Sequence, residues 1–390
     1  MMRSNVVRGL LLGGWLLGLG LSTGRAQRTP KRADFENVSV DSARNELFYE
    51  QRLYRNPMVG LLSIQQVLPP SRSRSGVPAG AVNSPVTGQA FVPLYQGVPI
   101  ARYQFTPFFR TSLISREERR AYARAVPFRP GRYRLDIRLQ PDFTASFGYR
   151  ERPIQSKTNL LLQSQLHLSR GLVLNGGVLI PILNDLDNQP RNVRPAPVYL
   201  NQFLALDHRN FLSLSAGLFY NDQGGINVQY RRADLTRPWS FGLEAGLTGF
   251  YYFLPDGFYY QRPRNLLLIA DAAYRLPVHN LTVKVSSGQY LSGDLGGRLE
   301  MIRQFPSVEI GFFMTKTTNG STGGFNFAIP IPPGRIAQSE RLRVRTTEEY
   351  RWEYNYSRGY NIAGRYRLGT PLDALLRQYH HDYLRSQLSE

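Results

Sequence analysis

From residue 131 onward, apolar side chains recur at every second position. Tyr133, Leu135, Ile137 and Leu139 alternate with Arg132, Arg134, Asp136 and Arg138, a period that puts each set on one face of a β-strand and would scatter the charges around a helix. The pattern returns in Phe143, Ala145, Phe147 and Tyr149, in Leu212 to Tyr220, and in Ile226, Val228 and Tyr230. Trp239, Phe241, Leu243, Ala245 and Leu247 oppose Ser240, Gly242, Glu244, Gly246 and Thr248; Leu266 to Tyr274, Leu281 to Val285 (away from Lys284) and Tyr350 to Tyr356 follow. Turn signals at Pro141-Asp142, Asn221 to Gly225, Pro255-Asp256-Gly257, Pro277 to Asn280, Phe305-Pro306-Ser307 and Asn319-Gly320-Ser321 divide the chain into hairpin-connected antiparallel strands.

Two architectures fit such strands. A soluble sandwich buries the apolar face against a second sheet, whereas an outer-membrane barrel turns it to lipid and keeps a polar interior. The second face here is small or polar with isolated charges, as a hydrated lumen requires. Aromatics also gather where strands end, at Phe147 and Tyr149, Phe219 and Tyr220, Phe250 to Phe253, Phe258 to Tyr260, and Tyr354 and Tyr356, which suits the membrane-water interface. The favoured fold is mainly β, an antiparallel transmembrane β-barrel over 131–368 with about 12–16 strands, since ~9–11 residues suffice to cross.

Two flanking regions read differently. Phe35 to Arg55 predicts two short strands, Met58 to Leu68 a brief helix, Pro69 to Asn83 a flexible linker, and Phe91 to Phe105 a hairpin about Gln96-Gly97-Val98-Pro99. These make 35–115 a small α+β unit, placed in the periplasm. Pro371 opens a C-terminal amphipathic helix over 371–388, with Leu372, Leu375, Leu376, Tyr379, Tyr383 and Leu388 on one face.

The chain starts with Arg3 and Arg8, an apolar run from Gly9 to Leu21, and Gly24-Arg25-Ala26, the form of a secretory signal peptide over 1–26 cleaved after Ala26. The alternative is one anchoring helix, against which Gly13, Gly14, Gly18 and Gly20 interrupt the run. Composition narrows the rest. Among 390 residues a net charge of +20, a mean hydropathy of −0.33 and 42% hydrophobic content fit neither a disordered polyelectrolyte nor a helical membrane protein. The absence of cysteine excludes disulfides, thiolate zinc sites, cysteine nucleophiles and lipidation, and five histidines leave little for a metal cage.

Short stretches resemble a known family. Tyr290-Leu291-Ser292-Gly293-Asp294-Leu295-Gly296-Gly297, Arg303-Gln304-Phe305 and Gly311 to Thr317 are similar to the late barrel segment of YjbH-like exopolysaccharide-biosynthesis proteins. Gly177 to Asp185 with Arg194-Pro195, and Tyr49 to Pro57, resemble the same family's strand, loop and N-terminal stretch. The resemblance implies an outer-membrane barrel working with capsule or exopolysaccharide synthesis and secretion machinery, and no known catalysis. The chain departs from the pattern in lacking the lipidated cysteine of many relatives and in being short.

The candidate lumen-lining or polymer-contacting residues are Asp294, Arg298 and Glu300, read as one strand face beside Gly293 and Gly296, joined by Asp271 and Lys316. Charges in a lumen set its electrostatics and hydrogen-bond hydroxyl-rich polymer; the plainer reading is that they pair across strands. Asn184-Asp185-Leu186-Asp187-Asn188 lacks the glycine and closing glutamate of a calcium loop, and is a hairpin loop. His380-His381-Asp382 reads as surface, because adjacent helical histidines diverge. The one Gly-x-Ser-x-Gly match, Gly20 to Gly24, falls in the leader, and sequence places neither Glu244 nor Glu300 opposite a second carboxylate. The basic stretches Arg72-Ser73-Arg74, Arg116 to Arg120 and Arg341 to Arg345 suit solvated rims, anionic lipid or acidic polysaccharide better than nucleic acid in an exported protein. No catalytic residue, metal or cofactor is expected. The partners expected are outer-membrane lipid, exopolysaccharide and secretion-machinery proteins, with a general porin or a periplasmic carbohydrate-binding sandwich as alternatives.

Overall fold

The computed structural model describes residues 29–388 except 69–87, 106, 130–134, 148–153, 188, 196, 332–335, 356–361 and 370. The expected leader and its cleavage site, the linker 69–83 with Arg72-Ser73-Arg74, Asn188, residues 131–134, Tyr149 and Tyr356 lie outside the described residues. The fold is mainly β, and Arg32–Glu390 form one compact unit.

The N-terminal part contains β1 (Phe35–Asp41), β2 (Glu46–Gln51), α1 (Pro57–Val67), β3 (Ala90–Tyr95), β4 (Val98–Pro99), β5 (Ala101–Gln104), β6 (Arg110–Leu113) and α2 (Arg116–Ala125). Its sheet runs β1-β2-β3-β5-β6, with β2 and β3 parallel. Asn56 caps α1, its Oδ1 accepting from Met58 N at 2.9 Å just before Pro57. The β3–β4 hairpin turns on Gln96 and Gly97, both at positive φ, as a tight two-residue connection requires. The part extends past the expected limit of 115: Arg116 to Ala125 is a helix begun by a Ser115/Glu118 capping box, and its Tyr122 stacks on Phe48 at 4.4 Å.

The remaining strands are β7 (Leu135–Phe147), β8 (Ile154–Ser169), β9 (Leu172–Asn184), β10 (Arg194–Pro195), β11 (Val198–Ala205), β12 (Asn210–Leu218), β13 (Gln223–Ala233), β14 (Trp239–Leu254), β15 (Gly257–Tyr260), β16 (Asn265–Leu276), β17 (Leu281–Gln289), β18 (Leu295–Gln304), β19 (Glu309–Thr317), β20 (Gly320–Ile329), β21 (Ala337–Gln338), β22 (Leu342–Thr346) and β23 (Tyr350–Asn355). Antiparallel ladders link β7 through β20, while the far end of β14 folds back on β15 as a projecting aromatic hairpin. β23 pairs with β20. Upstream in the same segment β22 runs parallel to β7, and Thr347 N continues that contact to Leu139 O at 3.0 Å. Trp352 Nε1 then donates to Phe143 O at 2.9 Å. Through this seam the strand order returns on itself as a ring.

The ring's faces follow the sequence alternation. Phe241 (50% exposed), Leu243 (53%), Leu268 (53%) and Val285 (53%) point outward, whereas Ser286, Asn227, Arg231 and Arg275 are buried inward. Several expectations fail locally. Pro141-Asp142 is not a turn but lies within β7, paired to Leu160 and Asn159; the β7–β22 ladder stops at Leu139, so this stretch borders an edge, where proline is tolerated. Phe219 and Tyr220 do not form an outer aromatic belt, being buried. Arg343 and Arg345 are no solvated rim: both are buried at the seam on Asp136, at 2.7 and 2.9 Å.

The C-terminal helix is two short helices, α3 (Leu372–Gln378) and α4 (His381–Ser386). They break where the His380 side chain accepts from Asp382 N at 3.2 Å. Leu372, Leu375, Leu376, Tyr379 and Tyr383 are buried with the N-terminal core and with Phe203 and Phe211 of the ring, while Leu388 is exposed. His380 is not a surface residue, being buried against Arg237 O at 3.0 Å; His381 is half-buried, stacking on Phe109 and meeting Thr111 at 3.0 Å.

Candidate functional site

The polar faces of the strands enclose a lumen, and the chain's own C-terminal tail occupies part of it. At one rim Ala363 N donates to Asp294 (2.8 Å) and Leu291 N to Gly364 O (3.0 Å). Arg365 then pairs with Glu244 at 2.6 Å, and Tyr366 stacks on Phe219 while its hydroxyl accepts from Asn227 at 2.7 Å. Gly246 makes this packing possible, since a Cβ there would overlap the Tyr366 hydroxyl.

Further along, Asp373 of α3 meets Arg231 (3.1 Å), Lys284 (2.9 Å) and Arg377 (2.9 Å). Arg377 in turn pairs with Glu309 at 3.0 Å. At the second rim, Tyr383 donates to the carbonyls of Phe305 and Pro306. The N-terminal part closes the same rim: Gly171 N donates to Gln96 O (2.7 Å), Arg119 to Asp207 O (2.6 Å) and Asn56 to Pro306 O (2.6 Å), and Arg55 pairs with Glu309 and Glu349. Tail, N-terminal part and ring therefore share one set of buried ion pairs, in which each charge is matched as burial demands.

Asp271, Arg298 and Glu300 sit on the inward face of the ring. Asp271 joins Arg231 (2.8 Å) and Lys284; Arg298 lies over the Phe313 ring (3.6 Å) and pairs with Glu353 (2.9 Å) and Glu300 (3.3 Å). All are paired within the protein, which is the plainer of the two sequence readings. Asp294 does not join Arg298 and Glu300. It sits in the turn before β18, where Ser292 and Gly293 take positive φ, and accepts from Thr318, Asn319 N and Ala363 N. Lys316 is not in the lumen: it shares the outward face of β19 with Phe312 and Met314. In the loop after β9, Asn184 donates to Asp187 at 2.6 Å and Lys157 holds Asp187 at 2.7 Å; among the described residues no group of acids and histidines has metal-binding geometry.

Between the tail, the N-terminal part and the β7–β12 wall lies a cavity of about 190 Å³. Sequence reasoning missed it, because its lining comes from inward amides such as Gln163, Gln165, Asn175 and Asn201, separated along the chain. The only local signal was the polar half of each strand's alternation. Glu50 of β2 borders it, and burial pushes this carboxyl up from 4.5 to about 7, against Arg52 and with Glu36 adding to the rise; Asn37 donates to it at 2.6 Å.

A folded-state value above the ordinary one means that the native state holds a proton that the unfolded chain has lost. This contribution to stability is complete below about pH 4.5 and is lost as pH rises through about 7, at most about 3 kcal/mol. Limited proteolysis of the N-terminal part is expected to be faster at about pH 8 than at about pH 5. Glu50→Gln should flatten the difference; an equally steep profile in that variant would assign it to another group.

Comparison with known proteins adds the family. The family model described as "Exopolysaccharide biosynthesis protein YbjH", of the YjbH family, matches residues 108–332, more than half of the chain. The chain belongs to the YjbH family. The match spans the end of the N-terminal part and the ring from β7 to β20, including Gly177 to Asp185 and Tyr290 to Thr317; Tyr49 to Pro57 lies before it. A protein of Escherichia coli (strain K12) described as "Uncharacterized lipoprotein YjbH" is 25% identical over 217 residues, which cover 47% of this chain and 30% of that relative. The chain thus matches less than a third of that relative's length. No solved structure matches.

Proposed function

We propose that this member of the YjbH family is an exported, non-enzymatic outer-membrane β-barrel that assists exopolysaccharide synthesis and secretion, its leader removed after Ala26. One observation carries the reading: large apolar residues crowd the outward face of the ring, while most of its charges turn inward and pair there, Lys316 being an outward exception. A protein folding in water does the reverse, and a monomer rarely leaves apolar patches beyond a few hundred Å² exposed. Strands β13, β16, β18 and β19, of 11, 12, 10 and 9 residues, are each long enough to cross the roughly 9–11 residues of hydrocarbon. The tight turns on the rim covered by the N-terminal part suit the periplasmic side, and the projecting β14–β15 hairpin the outside.

The family description supports exopolysaccharide biosynthesis as the process. The Escherichia coli relative is described as a lipoprotein, in keeping with work at the envelope. Membrane attachment in this reading rests on the outward apolar face of the ring. The tail inside the lumen favours a specific, closed device over an open porin, and the outward apolar face disfavours a soluble sandwich. The partners are outer-membrane lipid, the polymer and the secretion machinery, and nucleic acid has no part.

The test is fractionation followed by deletion. The protein should stay in the outer-membrane fraction through a carbonate wash and migrate differently on gels with and without heating, and its deletion should reduce surface polymer. Release by carbonate would remove the barrel; unchanged polymer in the deletion strain would remove the secretion role.

A further inference from the structure

We propose that the lumen cavity is a binding site for a neutral hexose unit of the polymer, an inference that rests on the reading of the ring as a secretion barrel. The tail is fastened to β13, β14 and β17 through Arg365, Tyr366 and Asp373, and reaches β7 through Arg367 on Asp142. It leaves open space along the β7–β12 wall, where the inward positions are Gln140, Gln163, Gln165, Asn175, Asn201 and Ser213. Carboxamides and hydroxyls both donate and accept, which is the pattern that a ring of sugar hydroxyls presents in return.

The existing bonds leave capacity to spare. Gln165 donates to Asn175 at 2.8 Å and Gln96 to Asn201 at 3.0 Å. Gln96 Oε1 and His167 Nδ1, on residues 6% and 8% exposed that both line the cavity, have no hydrogen-bond partner among the described residues. Buried polar atoms are rarely left so, and a ligand hydroxyl or a water satisfies them. Tyr95 and Tyr199 add aromatic surface of the kind against which the C–H face of a pyranose packs. The volume, about 190 Å³, lies below the ~300 Å³ at which sites for larger ligands begin, and suits a single sugar ring.

Charge selects the neutral class. Each arginine lining the space already has a carboxylate: Arg138 with Glu348 (3.2 Å), Arg367 with Asp142 (2.9 Å), Arg55 with Glu349 (2.7 Å), Arg52 with Glu36 (2.6 Å) and Arg351 with Glu309 (3.2 Å). A uronate would enter without a free cation to offset its desolvation.

The experiment exposes the full-length protein, in detergent, to an array of short neutral gluco-, galacto- and manno-oligosaccharides alongside oligogalacturonates. The wild type should retain at least one neutral series more strongly than the uronates. Gln165→Leu, which removes an amide at similar volume, and Ser213→Phe, which fills the space, should each weaken that retention about tenfold while keeping heat-modifiable migration, as the loss of a direct hydrogen bond would. No neutral oligosaccharide held by folded wild type, uronates held more strongly, or retention unchanged in a folded variant would each overturn the site. Loss of surface polymer on deletion without glycan retention would sink this site and leave the secretion role standing; unchanged polymer would sink the role itself.

Discussion

Leu243→Arg is expected to destabilise the protein in bilayers by about 2–4 kcal/mol, the depth-dependent penalty for a cation on the lipid face of a barrel. Leu243 lies near the middle of the β14 ladders, opposite Tyr230 and Ala270, and is 53% exposed. Val278, 66% exposed in the turn between β16 and β17, serves as the comparison. Arginine at that rim meets headgroups or water and should change stability by no more than about 0.5 kcal/mol. Urea titration of both variants in liposomes measures the difference. If water bathed the whole ring, two positions of such similar exposure would respond alike, and both would be nearly neutral.

Glu309→Gln should have a still larger effect, about 3–5 kcal/mol, because truncating one partner of a buried charge set leaves the others uncompensated. Glu309 is 2% exposed and pairs with Arg377 of the tail, Arg55 of the N-terminal part and Arg351 of β23. Among the described residues, those three guanidinium groups then retain Glu349 and Asp373 as carboxylate partners. Both the tail and the N-terminal part lose their shared anchor. Trypsin should therefore reach Arg377 and Arg55 faster, and ion conductance across planar bilayers should rise as the tail leaves the lumen. Unaltered protease resistance together with unaltered conductance would show that Glu309 does not hold the tail in place.

The ring's two faces were legible in the sequence because strand alternation is local: Trp239 to Thr248 assigns every side chain to a face within ten positions. The N-terminal strands and α1 were legible for the same reason, with Asn56-Pro57 marking the helix start. The tail's location was not. Its contacts join residues far apart in the chain, Asp373 to Arg231 and Arg377 to Glu309, and the apolar stripe of α3 looks the same whether it meets another helix, a membrane surface or a lumen. Phe312 and Phe313 put aromatics on both faces of β19, so alternation there assigns Lys316 to neither face. Asp294 reads as a strand residue because Leu291, Leu295 and Leu299 keep the alternation running across Ser292-Gly293-Asp294, which masks the turn signal of those three residues. The seam was hidden as well: Arg343 and Arg345 read as a rim, whereas Asp136, more than 200 positions earlier, gathers them.

The most direct test of the central claim uses tryptophan. Trp239 and Trp352 both lie on the ring's outer side, Trp239 53% exposed and Trp352 against Phe325 and Phe327. In bilayers of lipids brominated along their acyl chains, the fluorescence of the purified mature protein should be strongly quenched while aqueous iodide has little effect. Emission that iodide quenches and acyl-chain bromine does not would mean that water, not hydrocarbon, wets the outside of the ring.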